Sequence, residues 1–111
     1  MILAPLFSPR NVAVVGASQN PQKVGGMPVH LLQQLGYAGA IYPVNPAATQ
    51  VQGLPSFASV QALPEPVDMA IVAVPAAGVE QVLEQLIAQG ARAAVVLSSG
   101  FAEMGEQGAA V

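Results

Sequence analysis

The chain has no cysteine, only three cations in 111 residues, and no acidic residue before Glu65. Without cysteine there is no disulfide, no thiolate nucleophile and no cysteine-based metal site, which fits a reducing, cytoplasmic setting. Arg10, Lys23 and Arg92 are too few and too scattered to form a basic stripe, and this excludes nucleic-acid binding by phosphate neutralisation. All six carboxylates fall after residue 64. The first half of the chain therefore has no negative side chain to repel a polyanion; the other reading is a chance shortage in a chain rich in Ala, Val and Gln. The start, MILAPLFSPR, has no basic region ahead of its short apolar stretch and is broken by Pro5, so it does not read as a signal peptide. No apolar run approaches the roughly 20 residues that span a bilayer, so no membrane partner is expected.

Catalytic groups are scarce as well. His30 is the single histidine, set in a helical stretch with no nearby carboxylate to orient it. There are no paired carboxylates, no metal-ligand cluster and no nucleophile elbow, so the sequence reads as a binding module with no catalytic or metal-binding residues of its own.

What is present is apolar. Hydrophobic residues make up 53% of the chain and charged ones 8%, with a formal net charge of -3, which is the composition of a folded chain and not of a disordered one. The length suits one domain. Apolar runs at residues 12–15, 41–44, 69–74 and 93–97, rich in Val and Ile and without polar alternation, predict strands buried on both faces of a parallel sheet. Val79, Val82, Leu83, Leu86 and Ile87 follow the helical spacing, with Gly90 to end the helix. A shorter stripe of Met27, Leu31, Leu32 and Leu35 predicts a first helix that begins between residues 24 and 27, because Pro28 is tolerated only in a first turn. A short strand near residues 50–52 and a helix over 56–63 complete the reading. The alternation predicts an α/β fold: a Rossmann-like open parallel sheet with helices on both faces. It stops at SSGFAEMGEQGAAV, where such a domain normally continues, so the expectation is a C-terminally truncated domain of a larger protein.

Each main strand runs into a turn of small or rigid residues: GAS (16–18), NPA (45–47), PAA (75–77) and SSG (98–100). These turns lie at the carboxyl ends of the strands, where open α/β sheets bind ligands. The first leads through VVGASQNPQKVGG into the first helix. Gly16 permits a tight turn, and the main-chain N–H groups with the Ser18 hydroxyl are placed to meet a phosphate. Yet the dinucleotide fingerprint fails, with Ser18 at its second glycine and Pro21 at its third. The second strand ends on Asn45, where an NAD site places an acid for the ribose. Walker A is absent too, since Lys23 is followed by Val24. Lys23 is either a point charge for a phosphate or a solvated loop lysine. Arg10, ahead of the first strand and at the opposite edge, reads as structural.

LFSPRNVAVVGAS, PQKVGG, GAIYPVNP, VDMAIVAVPAAGV and VVLSSGFAEMGEQG, in that order, resemble the coenzyme A-binding domain at the N-terminus of NDP-forming acyl-CoA synthetases, relatives of the succinyl-CoA synthetase α subunit. The resemblance implies that residues 1–111 form a CoA-binding domain of a multidomain protein. The whole enzyme would make acyl-CoA from a carboxylic acid, CoA and ATP, through an acyl phosphate and a phosphorylated histidine. ATP and Mg would sit in other domains, and His30 does not match that histidine. The same resemblance implies that Gly16, Ala17 and Ser18 meet the CoA phosphates. Val44, Asn45 and Pro46 would line the adenosine side, Val74 and Pro75 the crevice wall, and Ser98, Ser99 and Gly100 the pantetheine path. Relatives often carry a lysine after the NP of the second turn; here Ala47 and Ala48 follow, which leaves Lys23 as the candidate replacement. The partners implied are CoA and the downstream domains or subunits, with room for a homo-oligomer. The alternatives are a regulatory CoA domain of a protein lysine acetyltransferase, a stand-alone CoA-binding protein, and a plain NAD(P)-binding domain.

Overall fold

The strand β1, Asn11–Val15, consists of five consecutive buried residues. Because successive side chains of a strand point to opposite faces, Val12 and Val14 enter one apolar cluster while Ala13 and Val15 enter another. A strand buried on both faces needs strands on both edges and helices above and below. The computed structural model, which describes residues 9–97, supplies all of these.

After β1 come helix α1 (Met27–Gln34), strand β2 (Ala40–Val44), a hairpin of β3 (Gln50–Val51) and β4 (Leu54–Pro55), and a single 3-10 turn at Val60–Ala62. Strand β5 (Met69–Val72), helix α2 (Ala76–Gln89) and strand β6 (Ala94–Val96) complete the described order. The main sheet runs β2-β1-β5-β6, with every neighbouring pair parallel. Val29 of α1 packs on Val12 and Val14, while Val79 and Leu86 of α2 join Ala13 and Val15 on the other side. This is the expected doubly wound arrangement. The chain leaves β1 for β2 on one side and returns for β5 on the other, so the strand order reverses between β1 and β5. The register pairs Val15 with both Val44 and Val72. Three strands therefore end level, and the turns that follow them meet at one edge.

The opposite edge is closed by polar groups. Asp68, 5% exposed, accepts from Arg10 N at 2.9 Å and Arg10 Nε at 3.1 Å, and Arg92 Nε lies 3.8 Å from its other oxygen. Asn11 Oδ1 accepts from Asp68 N at 2.6 Å while its amide donates to Pro66 O. The beginning of β1 is thus tied to the beginning of β5, and Arg10 is structural. Hydrogen bonds from the Arg10 side chain and main chain hold the Asp68 carboxyl below its ordinary value. Nearby, the hydroxyl of Tyr42 donates to Glu65, which pushes the tyrosine up to about 12.

Two sequence expectations need correction. Of the expected stripe of Met27, Leu31, Leu32 and Leu35, only half-buried Leu32 packs on the core; Met27, Leu31 and Leu35 are 48%, 45% and 81% exposed. Pro28 and Val29 are the buried residues of α1. The segment 56–63 is not a helix. Phe57 forms a parallel bridge to Val44, and only the 3-10 turn follows it. The short strand exists as Gln50–Val51, but it pairs with β4 in a separate two-stranded sheet. The ends of β5 and β6 fall within two residues of the expected ones. Gly90 ends α2 in a left-handed conformation, φ 95°, as its position suggested.

Candidate functional site

Gly16 follows β1 with φ 86°, and a Cβ there would stand 2.8 Å from Ala73 O. Only glycine fits, because the turn needs a positive φ and the backbones after β1 and β5 touch at the point where the strand order reverses. The N–H groups of Gly16 and Ala17 both donate to Val44 O, at 3.0 and 3.2 Å. The Asn45 amide returns a bond to Ala17 O at 2.9 Å, and Asn45 Oδ1 accepts from Ala47 N at 2.8 Å. The first and second turns are thereby stapled together. The N–H groups of Gly16 and Ala17 are thus engaged inside the protein, and the two residues set the path of the backbone between the turns.

The loop over residues 18–26 folds on itself. Ser18 N donates to Gly25 O, while Ser18 Oγ accepts from Asn20 N at 3.1 Å, a bond that does not use the hydroxyl proton. Lys23 is exposed on this loop, with its carbonyl accepting from Gly26 and Met27 as α1 begins. A Cβ on Gly25 would overlap Gly16 O, and one on Gly26 would overlap Asn20 O. The GG of PQKVGG is therefore required by close packing of the loop.

Beyond the strand ends lies a crevice of about 410 Å3. Its lining includes Gly16, Ala17, Val44, Asn45, Pro46 and Val74, six of the residues expected from sequence. Ser18 and Lys23 lie on the loop outside that lining. Pro75 is exposed at the start of α2, and Ser98, Ser99 and Gly100 lie outside the described residues. The structure adds Val15 at the end of β1, Ala58, Ser59 and Val60 from the segment leading into the 3-10 turn, and Val82 and Gln85 from α2. Sequence reasoning missed these six as site residues. Val82 carried a signal, but as part of a helical core stripe, and the side of α2 that meets the crevice depends on how the helix packs.

Among the described residues, the lining contains no titratable side chain. What it offers is apolar surface, with the side chains of Asn45, Ser59 and Gln85 as polar points, which suits binding and orientation of a ligand. No described lining residue is a carboxylate, and this matters most, since each one there would oppose a ligand carrying several negative charges. No helix among the described residues is long and apolar enough to cross a membrane.

A doubly wound sheet with a crevice at its switch point, lined among the described residues without a carboxylate and lacking the glycines of a dinucleotide fingerprint, has the architecture of the Rossmann-like α/β domains but departs from their NAD-binding form. Comparison with known proteins gives the narrower assignment. The profile of the CoA binding domain matches residues 10–110, and the chain belongs to this family. It is 47% identical over 107 residues to an ADP-forming acetate–CoA ligase II of Archaeoglobus fulgidus, covering 96% of this chain and 16% of that protein. It is 42% identical to the α subunit of an ADP-forming acetate–CoA ligase I of Pyrococcus furiosus, over 97% of this chain and 24% of that subunit. Among solved structures, the dinucleotide-forming acetyl-coenzyme A synthetase 1 of Ca. Korarchaeum cryptofilum, in complex with phosphate and ADP, superposes with a TM-score of 0.85 at 39% identity. That match covers 96% of this chain and 23% of the synthetase chain. The chain thus spans about a quarter or less of the length of these relatives.

Proposed function

We propose that this chain is the CoA-binding part of a longer, cytoplasmic, ADP-forming acyl-CoA synthetase. The whole protein would convert a carboxylic acid, CoA and ATP to acyl-CoA, ADP and phosphate. The observation that carries the reading is the crevice formed where the GAS and VNP turns are hydrogen-bonded to each other, with no carboxylate among its described lining residues. The family and the ligase relatives support it.

In this reading the adenosine end of CoA rests against Val44, Asn45 and Pro46, with Val74 forming the far wall beside Pro75. The phosphates lie toward Ser18, whose hydroxyl proton is available, and Lys23 supplies a positive charge from the loop. Gly16 and Ala17 shape the floor. Ser98, Ser99 and Gly100 are assigned to the pantetheine path on resemblance alone. ATP and Mg belong to the other domains or subunits, which are also the partners of this one, alone or in a homo-oligomer. The crevice contributes positioning: a thiol held at a fixed place relative to an acyl donor reacts as if at high local concentration.

The test is an assay of the longer protein with a panel of carboxylic acids. Release of ADP and phosphate that depends on both acid and CoA is the expected result. Nucleotide turnover that is indifferent to CoA would overturn the proposal.

A further inference from the structure

The hairpin joining β3 and β4 has two central residues, Gln52 and Gly53, both with positive φ, 51° and 85°. A two-residue hairpin turn of this kind favours Asn, Asp or Gly at its first central position. A glutamine with φ 51° is unfavourable, since L residues with longer side chains resist the left-handed region, and an observed outlier of this sort invites a functional explanation. The side chain supplies one. Gln52 Nε2 donates to Ser18 O and to Gly26 O, each at 2.9 Å. Both neighbours are carbonyls, so the amide group must present its two protons to them. Ser18 and Gly26 are the two ends of the loop that carries Lys23. One carboxamide therefore bridges the mouth of that loop, from a hairpin 26 residues further along the chain than Gly26.

Other bonds hold the clasp in place. Gln19 Oε1 accepts from Gln52 N at 2.6 Å, and Gln19 Nε2 donates to Gln50 O at 2.6 Å. Gln33 of α1 donates to Gln52 O at 3.3 Å. Gln52 thus touches the loop, the beginning of α1 and a residue near its end, although it is absent from the crevice lining.

We infer that Gln52 is a positioning residue for CoA: by tying Ser18 to Gly26 it presets the loop in the shape that receives the phosphates. The inference rests on the reading given under Proposed function. It needs a readout that separates positioning from stability, and the unusual φ provides one. Gln52→Gly removes the carboxamide but suits the backbone better, while Gln52→Met keeps the length of the side chain and removes the carboxamide, donors and acceptor together. CoA affinity of the wild-type protein and both variants is measured by calorimetric titration, alongside their thermal midpoints. We expect both variants to bind CoA about tenfold more weakly, as the loss of two donated hydrogen bonds and of loop preorganisation implies, with the midpoint of Gln52→Gly equal to or above that of wild type. Wild-type affinity in a folded Gln52→Gly or Gln52→Met would overturn the inference and leave the CoA reading standing. A wild-type protein that takes up no CoA would overturn the CoA reading, and this inference with it.

Discussion

The main-chain oxygen of Gly16 occupies the space that a Cβ on Gly25 would fill. The turn after β1 and the start of α1 are packed backbone against backbone, and the Ser18 N–H bond to Gly25 O closes the same contact. Gly25→Ala must push the two segments apart. Overpacking of this kind costs about 1–3 kcal/mol, so chemical denaturation should show a loss in that range, accompanied by weaker CoA binding. A variant as stable as wild type would mean that the loop does not pack in this way.

Ser18→Asp separates the charge of the site from its fold. An aspartate can accept from Asn20 N as Ser18 Oγ does, because Asp and Ser support the same local turn. The thermal midpoint should change little. CoA affinity should fall, and the fall should shrink as salt screens the added charge. An unchanged affinity would remove Ser18 from the phosphate site.

Two leucines on the two helices should behave oppositely. Leu86 of α2 is 2% exposed and sits in the core, whereas Leu35, just after α1, is 81% exposed. Leu86→Ala should cost about 2–5 kcal/mol of unfolding free energy, and Leu35→Ala about 0.5 kcal/mol or less. Denaturant titration of both checks this, and equal losses would contradict the assigned face of α1.

Those leucines also mark where the sequence was legible and where it was not. β1 was readable because a strand buried on both faces leaves an unbroken apolar run. α2 was readable because its long stripe ends on Gly90, although the last member of that stripe, Ile87, is 77% exposed. α1 is only eight residues, too short for its pattern to fix the buried side, and the sheet took Pro28 and Val29 in place of Leu31 and Leu35. The site divides in the same way. Gly16, Val44 and Asn45 belong to strand-end turns, which topology alone brings together. Gln52, Ser59 and Gln85 reach the loop or the crevice through tertiary packing that no local pattern encodes.

Asp68 gives a dependence on pH. Arg10 holds its carboxyl below the ordinary aspartate value, so the folded chain binds that proton less readily than the unfolded chain does. The resulting stability is present above the ordinary value and is lost as pH falls through the depressed folded one. The stability gap between wild type and Asp68→Asn should therefore be widest near neutral pH and narrow in acid. A gap that stays constant down to strongly acidic pH would show that the pair with Arg10 contributes nothing through ionisation.

The central claim is that the crevice beside Gly16 and Asn45 takes CoA and not a dinucleotide. Calorimetric titration of the purified protein with CoA, 3'-dephospho-CoA and NAD tests it most directly. The account predicts saturable binding of CoA, weaker binding of 3'-dephospho-CoA for want of one phosphate, and NAD at least about tenfold weaker than CoA, a difference of roughly 1.4 kcal/mol. Binding of NAD with no binding of CoA would contradict it.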